Sequence, residues 1–146
     1  MHTGLGERGA LSILSDLAPE APAYRLAARW YGSGVESIAD GRGLSVVTHG
    51  SVDLPLLAAL AGARAATMVT AEMGTVAARD TFLALRARNW LRHHGPPDPR
   101  HPRALAIREQ LADAFAPRDA AWRATVLGNL RDLVLRTVAG LTTTTR

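Results

Sequence analysis

Apolar positions change their rhythm at Gly74. Before it they come in short runs broken by glycine and proline; after it they recur at helical spacing. Ala10 to Leu14 is a short strand-like run, and Pro19 and Pro22 punctuate the loop behind it. Ala23 to Tyr31 places Leu26, Ala27 and Trp30 at helical spacing and predicts a short helix. Residues 32–43, GSGVESIADGRG, are glycine-rich and polar and read as a loop. Leu44 to Thr48 is a second apolar run suited to a strand. Asp53 and Pro55 open a brief helix through Ala61, with Asp53 as its N-cap and Gly62 as a left-handed C-cap.

The stretch from Ala65 to Thr75, AATMVTAEMGT, organises the rest. A β-branched and apolar run, Ala66 to Ala71, ends at one carboxylate, Glu72, and Gly74-Thr75 turns the chain away. From Val76 the period is helical, with Leu83, Ala87, Trp90 and Leu91 on one stripe and Arg86, Arg88 and Arg92 largely off it. Gly95, Pro96 and Pro97 stop that helix. A second helix begins near Pro102 and carries Ile107, Leu111 and Phe115; Pro117 breaks it. Asp119 caps a third helix, whose stripe is Trp122, Val126, Leu130, Leu133, Val134 and Val138. The polar tail, Thr142 to Arg146, is expected to fray. Strands alternating with helices, then helices alone, predict an α/β fold ending in three α-helices packed on one face. The strands are few, so such a sheet has an open edge and an uncovered apolar face. A partner completes it, a second copy does, or the chain is a piece of something longer.

Composition narrows the classes. At 146 residues, 47% apolar and 21% charged, this is one globular domain at most. No run of about 18 apolar residues occurs, and the start lacks a basic region followed by an apolar core. Those features predict a cytoplasmic protein without membrane contact. Without cysteine, disulfides and thiolate chemistry are excluded. The net charge of +4 invites a nucleic-acid reading. Against it, all 17 basic residues are arginines scattered among acids, and aromatic residues that could stack on bases make up 5%.

Glu72, an acid delivered by a buried strand at a turn, is placed as open α/β sheets place catalytic groups. The plainer alternative is that it neutralises an arginine or caps a turn. Gly4, Gly6 and Gly9 mark a loop that must turn tightly and approach something closely. They also spell G-x-G-x-x-G, but a dinucleotide site needs a strand directly before it and a helix opening at its end. His93 and His94 point about 100° apart on their helix and do not easily share a metal. His49 and His101 fall in loops. His49, Ser51 and Asp53 are too close in one loop for a relay, and no G-x-S-x-G elbow exists.

His2-Thr3-Gly4-Leu5-Gly6 and Thr70-Ala71-Glu72-Met73-Gly74-Thr75 together resemble the bacterial zinc-carboxypeptidase-like family, within the carboxypeptidase A superfamily, whose members carry a HTGLG-type loop and a T-x-E-x-G-T segment. Further matches follow in order: Ala84 to Leu91 with His93-His94-Gly95, then Asp113-Ala114-Phe115, then Ala121-Trp122-Arg123. The resemblance runs from His2 to about Leu141 and implies a three-layer α/β/α sheet of that type, here incomplete. It implies a zinc-dependent hydrolase of peptide or amide bonds, whose metal is held by a His-x-x-Glu pair and a later histidine. His2 matches that later histidine, and Glu72 matches the general base. No His-x-x-Glu occurs in the chain, and the upstream arginines that hold a substrate carboxylate are absent too. The expectation is therefore the C-terminal portion of one metallopeptidase-like domain. Residues 1–75 bear the site remnants and residues 76–141 form the helical part. Zinc would not be held stably by this chain, and the partner would be an N-terminal half or a second copy. The alternative is a non-catalytic helical protein-interaction module, in which the stripe of the last helix meets a partner.

Overall fold

The computed structural model describes residues 1–41, 44–60, 62 and 65–144. Four short strands, β1 (His2–Thr3), β2 (Leu11–Ser15), β3 (Val35–Ser37) and β4 (Thr70–Met73), form one sheet in the order β1-β4-β2-β3. β1 runs parallel to β4 and β2 parallel to β3, while β2 and β4 are antiparallel. The helices are α1 (Pro22–Tyr31), α2 (Asp53–Ala59), α3 (Ala78–His94), α4 (Pro102–Phe115) and α5 (Ala120–Thr144). The architecture is the expected α/β fold with few strands, ending in three helices.

Alternation along the strands divides the sheet into two faces. Leu11 pairs with Met73 and Ile13 with Ala71, and these side chains share one face. Ile13 packs there with Ala27, Tyr31 and Val35, and Met73 packs with Trp122 and Val126. α1 and α5 cover that face. The other face carries Leu14 opposite Thr70 and Ser12 opposite Glu72, and borders a cleft that reaches Asp53 at the start of α2. α4 meets α3 along its length, and the Phe115 ring lies against Gly4.

Several boundaries differ from the sequence reading. β4 starts later than Ala66 and runs one residue past Glu72 to Met73, because its pairing is set by β2 and by His2 on β1. Leu44 to Thr48 forms no strand, and the glycine-rich stretch at 32–43 supplies β3 through Val35. Hydrogen-bonded neighbours decided both, since Val35 registers with Ile13 on β2. Asp53 is the first residue of α2, not its cap: Val52 is the cap, and the Asp53 N–H donates to Ser51 Oγ at 3.2 Å. α2 is capped at Leu60, before Gly62; the expected end at Ala61 lies outside the described residues.

The helical stripes are rotated as well. α3 buries Thr81, Ala84 and Leu91 and leaves Leu83 exposed, and α4 buries Ala104 and Ala114. Small residues sit where helix meets helix or loop, which lets the backbones approach. On α5 Trp122 and Val126 are buried, but Val134 and Val138 are 58% and 53% exposed. A helix of 25 residues outruns so small a sheet. Helix α5 runs on through Thr144, where the hydroxyls of Thr142, Thr143 and Thr144 donate back to the carbonyls of Ala139 and Gly140, and the last two positions of the expected tail lie outside the described residues.

Asp119 caps α5 as expected, its Oδ1 accepting from the Trp122 N–H at 2.8 Å. Its second oxygen pairs with Arg8, whose guanidinium also donates to the Thr75 carbonyl at 3.1 Å. The Trp122 amide first, and then Arg8, hold the Asp119 carboxyl below the ordinary range. A depressed carboxyl stabilises the fold above its unfolded value of about 3.9 and loses that contribution as pH falls through the lower folded value. Thermal midpoints measured against pH should therefore show an advantage of the native protein over Asp119→Asn at pH 6 that shrinks below about pH 4. An advantage that does not change with pH would contradict the assignment.

Candidate active-site cleft

The two site residues suggested by the sequence lie far apart in the chain, and the sheet brings them together. β1 and β4 are parallel with His2 in register with Glu72, so both side chains stand on one face. His2 Nδ1 is 3.8 Å from Glu72 Oε2, longer than a hydrogen bond but within ion-pair reach. Glu72 is 5% exposed. The His2 side chain is 73% exposed, its ring open to solvent beside the buried acid.

The loop behind β1 holds the second carboxylate oxygen. The Gly4 N–H donates to the Met73 carbonyl at 3.1 Å and extends the β1 pairing by one residue. Gly4 then takes φ +139°, a value that side chains avoid, and the next amide turns back: the Leu5 N–H donates to Glu72 Oε1 at 3.2 Å. The tight loop read from Gly4, Gly6 and Gly9 is real, since all three have positive φ. The close approach it implied is to Gly74, whose backbone Glu7 nearly touches. One oxygen of Glu72 is thus fixed by an amide, and the other faces His2 and the cleft. A buried carboxylate oriented in this way can take a proton from a water or a substrate group.

The cleft has a volume of about 410 Å³ and is lined by His2, Glu72, Asp16 and Asp53, with apolar side chains between them. Asp53 is 7% exposed. Burial first, and then the negative charge of Asp16, push its carboxyl up, while His2 opposes them. Asp16 carries no signal in the sequence, and Asp53 stands out there only as a helix cap and as a member of the rejected His49-Ser51-Asp53 relay. Their spacing along the chain carries no pattern, and only folding places them beside Glu72. The Leu5 amide was missed for the same reason, since any residue has one.

The other candidates do not assemble. Among the described residues no three histidine, aspartate or glutamate side chains converge as a metal ion requires. His93 and His94 are exposed with ring centroids 6.3 Å apart. Ser51 uses its hydroxyl to accept from the Asp53 N–H, and His49 stands exposed, so the three form no relay. His101 serves the fold instead, since its Nδ1 accepts from the Arg103 N–H at 3.1 Å and caps α4.

These features define a mixed α/β protein with a buried carboxylate and a histidine facing one cleft on its sheet. The chain belongs to the DUF2817 family, described as a protein of unknown function, whose family model matches residues 1–129. Neither a curated protein nor a solved structure matches it.

Proposed function

We propose that this chain carries part of the active site of a zinc-carboxypeptidase-like hydrolase acting on a peptide or amide bond, with Glu72 as general base and His2 as one metal ligand. The observation that supports this most is the parallel pairing that sets His2 opposite Glu72 on the cleft. The described residues do not fit a zinc ion by themselves, since one histidine and one nearby carboxylate fall short of the three protein ligands such a site uses. The remaining ligands would come from another segment or another chain. What this chain supplies is the proton transfer. Glu72 is held by the Leu5 amide, takes a proton from the attacking water and returns it to the leaving amine.

A titration with Zn²⁺ followed by NMR tests the ligand half of this reading. The His2 imidazole and the Leu5 amide should shift first, with weak affinity, and His2→Ala should remove those shifts. Saturation of His93, His94 or His49 while His2 stays silent would overturn it.

A further inference from the structure

Glu72 shares its cleft with two other acids, Asp16 and Asp53. The chain has 17 arginines and no lysine, yet none of the described residues lining this cleft is an arginine. Asp53 is the unusual member. It is 7% exposed, and while its own N–H donates to Ser51, its carboxylate accepts no hydrogen bond from any described residue. Its carboxyl oxygens are not sealed from solvent but open onto the cleft, where a bound cation would supply the donor that the described residues do not. Leu14, Ile38, Met68 and Val69 line the same cleft and offer apolar surface next to the acids.

Acids that attract a cation without converging on one point suit an extended organic cation better than a metal ion, which needs several oxygens at one centre. We propose that the cleft selects a substrate bearing a protonated amine or guanidinium on an apolar stem, with Asp53 as its hydrogen-bonding anchor and Asp16 adding charge. This deepens the hydrolase reading and rests on its assignment of the Glu72 cleft as the substrate site. The stem lies along Leu14 and Met68 while the charged head reaches Asp53, the arrangement by which long cationic side chains bury their methylenes.

Chemical-shift titration of the whole chain with N-acetyl-lysinamide, its neutral analogue N-acetyl-norleucinamide, which lacks the ε-ammonium, and N-acetyl-glutamate amide tests this directly. The lysine compound should bind about tenfold more tightly than the norleucine compound, as a charge-assisted hydrogen bond would make it. It should move the Asp53 and Glu72 amides, and Asp53→Asn should reduce its affinity to the norleucine level. Asp16→Asn, farther from full burial, guards against a variant that misfolds; it should weaken lysine binding by a smaller factor. Equal affinity for the lysine and norleucine compounds, preference for the glutamate compound, or displacement of the amine by Mg²⁺ bound at Asp16 and Asp53 would each overturn the proposal. Because the readout is binding, a lost amine preference counts against this inference alone. A retained preference in a completed enzyme whose turnover ignores Glu72→Gln counts against the hydrolase reading alone.

Discussion

Gly74→Ala should destabilise this protein severely. A Cβ at position 74 would stand 1.8 Å from the Glu7 carbonyl oxygen and 2.5 Å from its carbon, and both are backbone atoms that cannot swing away. The φ of Gly74 is not positive, so the objection is steric and not conformational. Relief would require separating the glycine loop from the end of β4. That separation breaks the Gly9 N–H bond to the Gly74 carbonyl at 2.9 Å and the Gly74 N–H bond to the Ala10 carbonyl at 3.0 Å. It also displaces the carbonyl that accepts from Trp122 Nε1 at 2.8 Å, the contact that ties α5 to the sheet. Overpacking and several lost buried hydrogen bonds together cost about 4 kcal/mol or more. Set against about 5–15 kcal/mol of stability for a whole domain, that loss removes a large share and moves the unfolding midpoint far down. Urea unfolding followed by circular dichroism measures it. Gly128→Ala is the control: nothing lies within 4 Å of a Cβ there, and the residue is inside α5. Alanine at 128 should raise stability by about 0.5–1 kcal/mol. A Gly74→Ala midpoint near that of the native protein would show that the crossing is looser than described.

The second large effect concerns chemistry. In a form of the protein whose metal site is completed by a His-x-x-Glu pair from another segment, Glu72→Gln should lower kcat/KM for peptide hydrolysis by about 10² to 10⁴. Glutamine keeps the shape of the side chain and an oxygen for the Leu5 amide, so the loop after β1 stays in place. What it loses is the ability to take a proton. Zinc content should survive, because the substitution leaves His2 untouched. A Glu72→Asp variant separates basicity from reach: the acid remains, but the shorter side chain draws away from Leu5. It should retain more activity than glutamine if the proton is what matters. Turnover unchanged in the glutamine variant would remove Glu72 from the mechanism, leaving it as a buried anchor for the Leu5 amide.

The helical half was the most legible. Proline and glycine at 95–97, Pro102, Pro117 and the Asp119 cap marked where α3, α4 and α5 begin and end to within a few residues. Local chemistry sets those boundaries: a ring that cannot continue a helix, and a side-chain oxygen that accepts from the first turn. Which face each helix buries was less legible. Leu83 looked like core but lies exposed, because α3 meets its neighbours through Thr81 and Ala84. The strands were least legible. Two- to five-residue strands have too few positions for a period to show, and partners distant in the chain select them.

By itself, then, the sequence determined the α/β class, the order and ends of the long helices, and the tight glycine loop, and it singled out the histidine and the glutamate that the proposed chemistry uses. Those properties follow from backbone restrictions and from side chains acting on their near neighbours. Only the tertiary structure decided that His2 and Glu72 stand in register, that the Leu5 amide holds one carboxylate oxygen, and that Asp16 and Asp53 join them. It decided as well that Gly74 is where the loop and β4 cross with no room for a side chain. Each is a contact between segments whose separation along the chain leaves no periodic trace, brought about by burying Met73, Trp122 and Val126 on the opposite face of the same sheet.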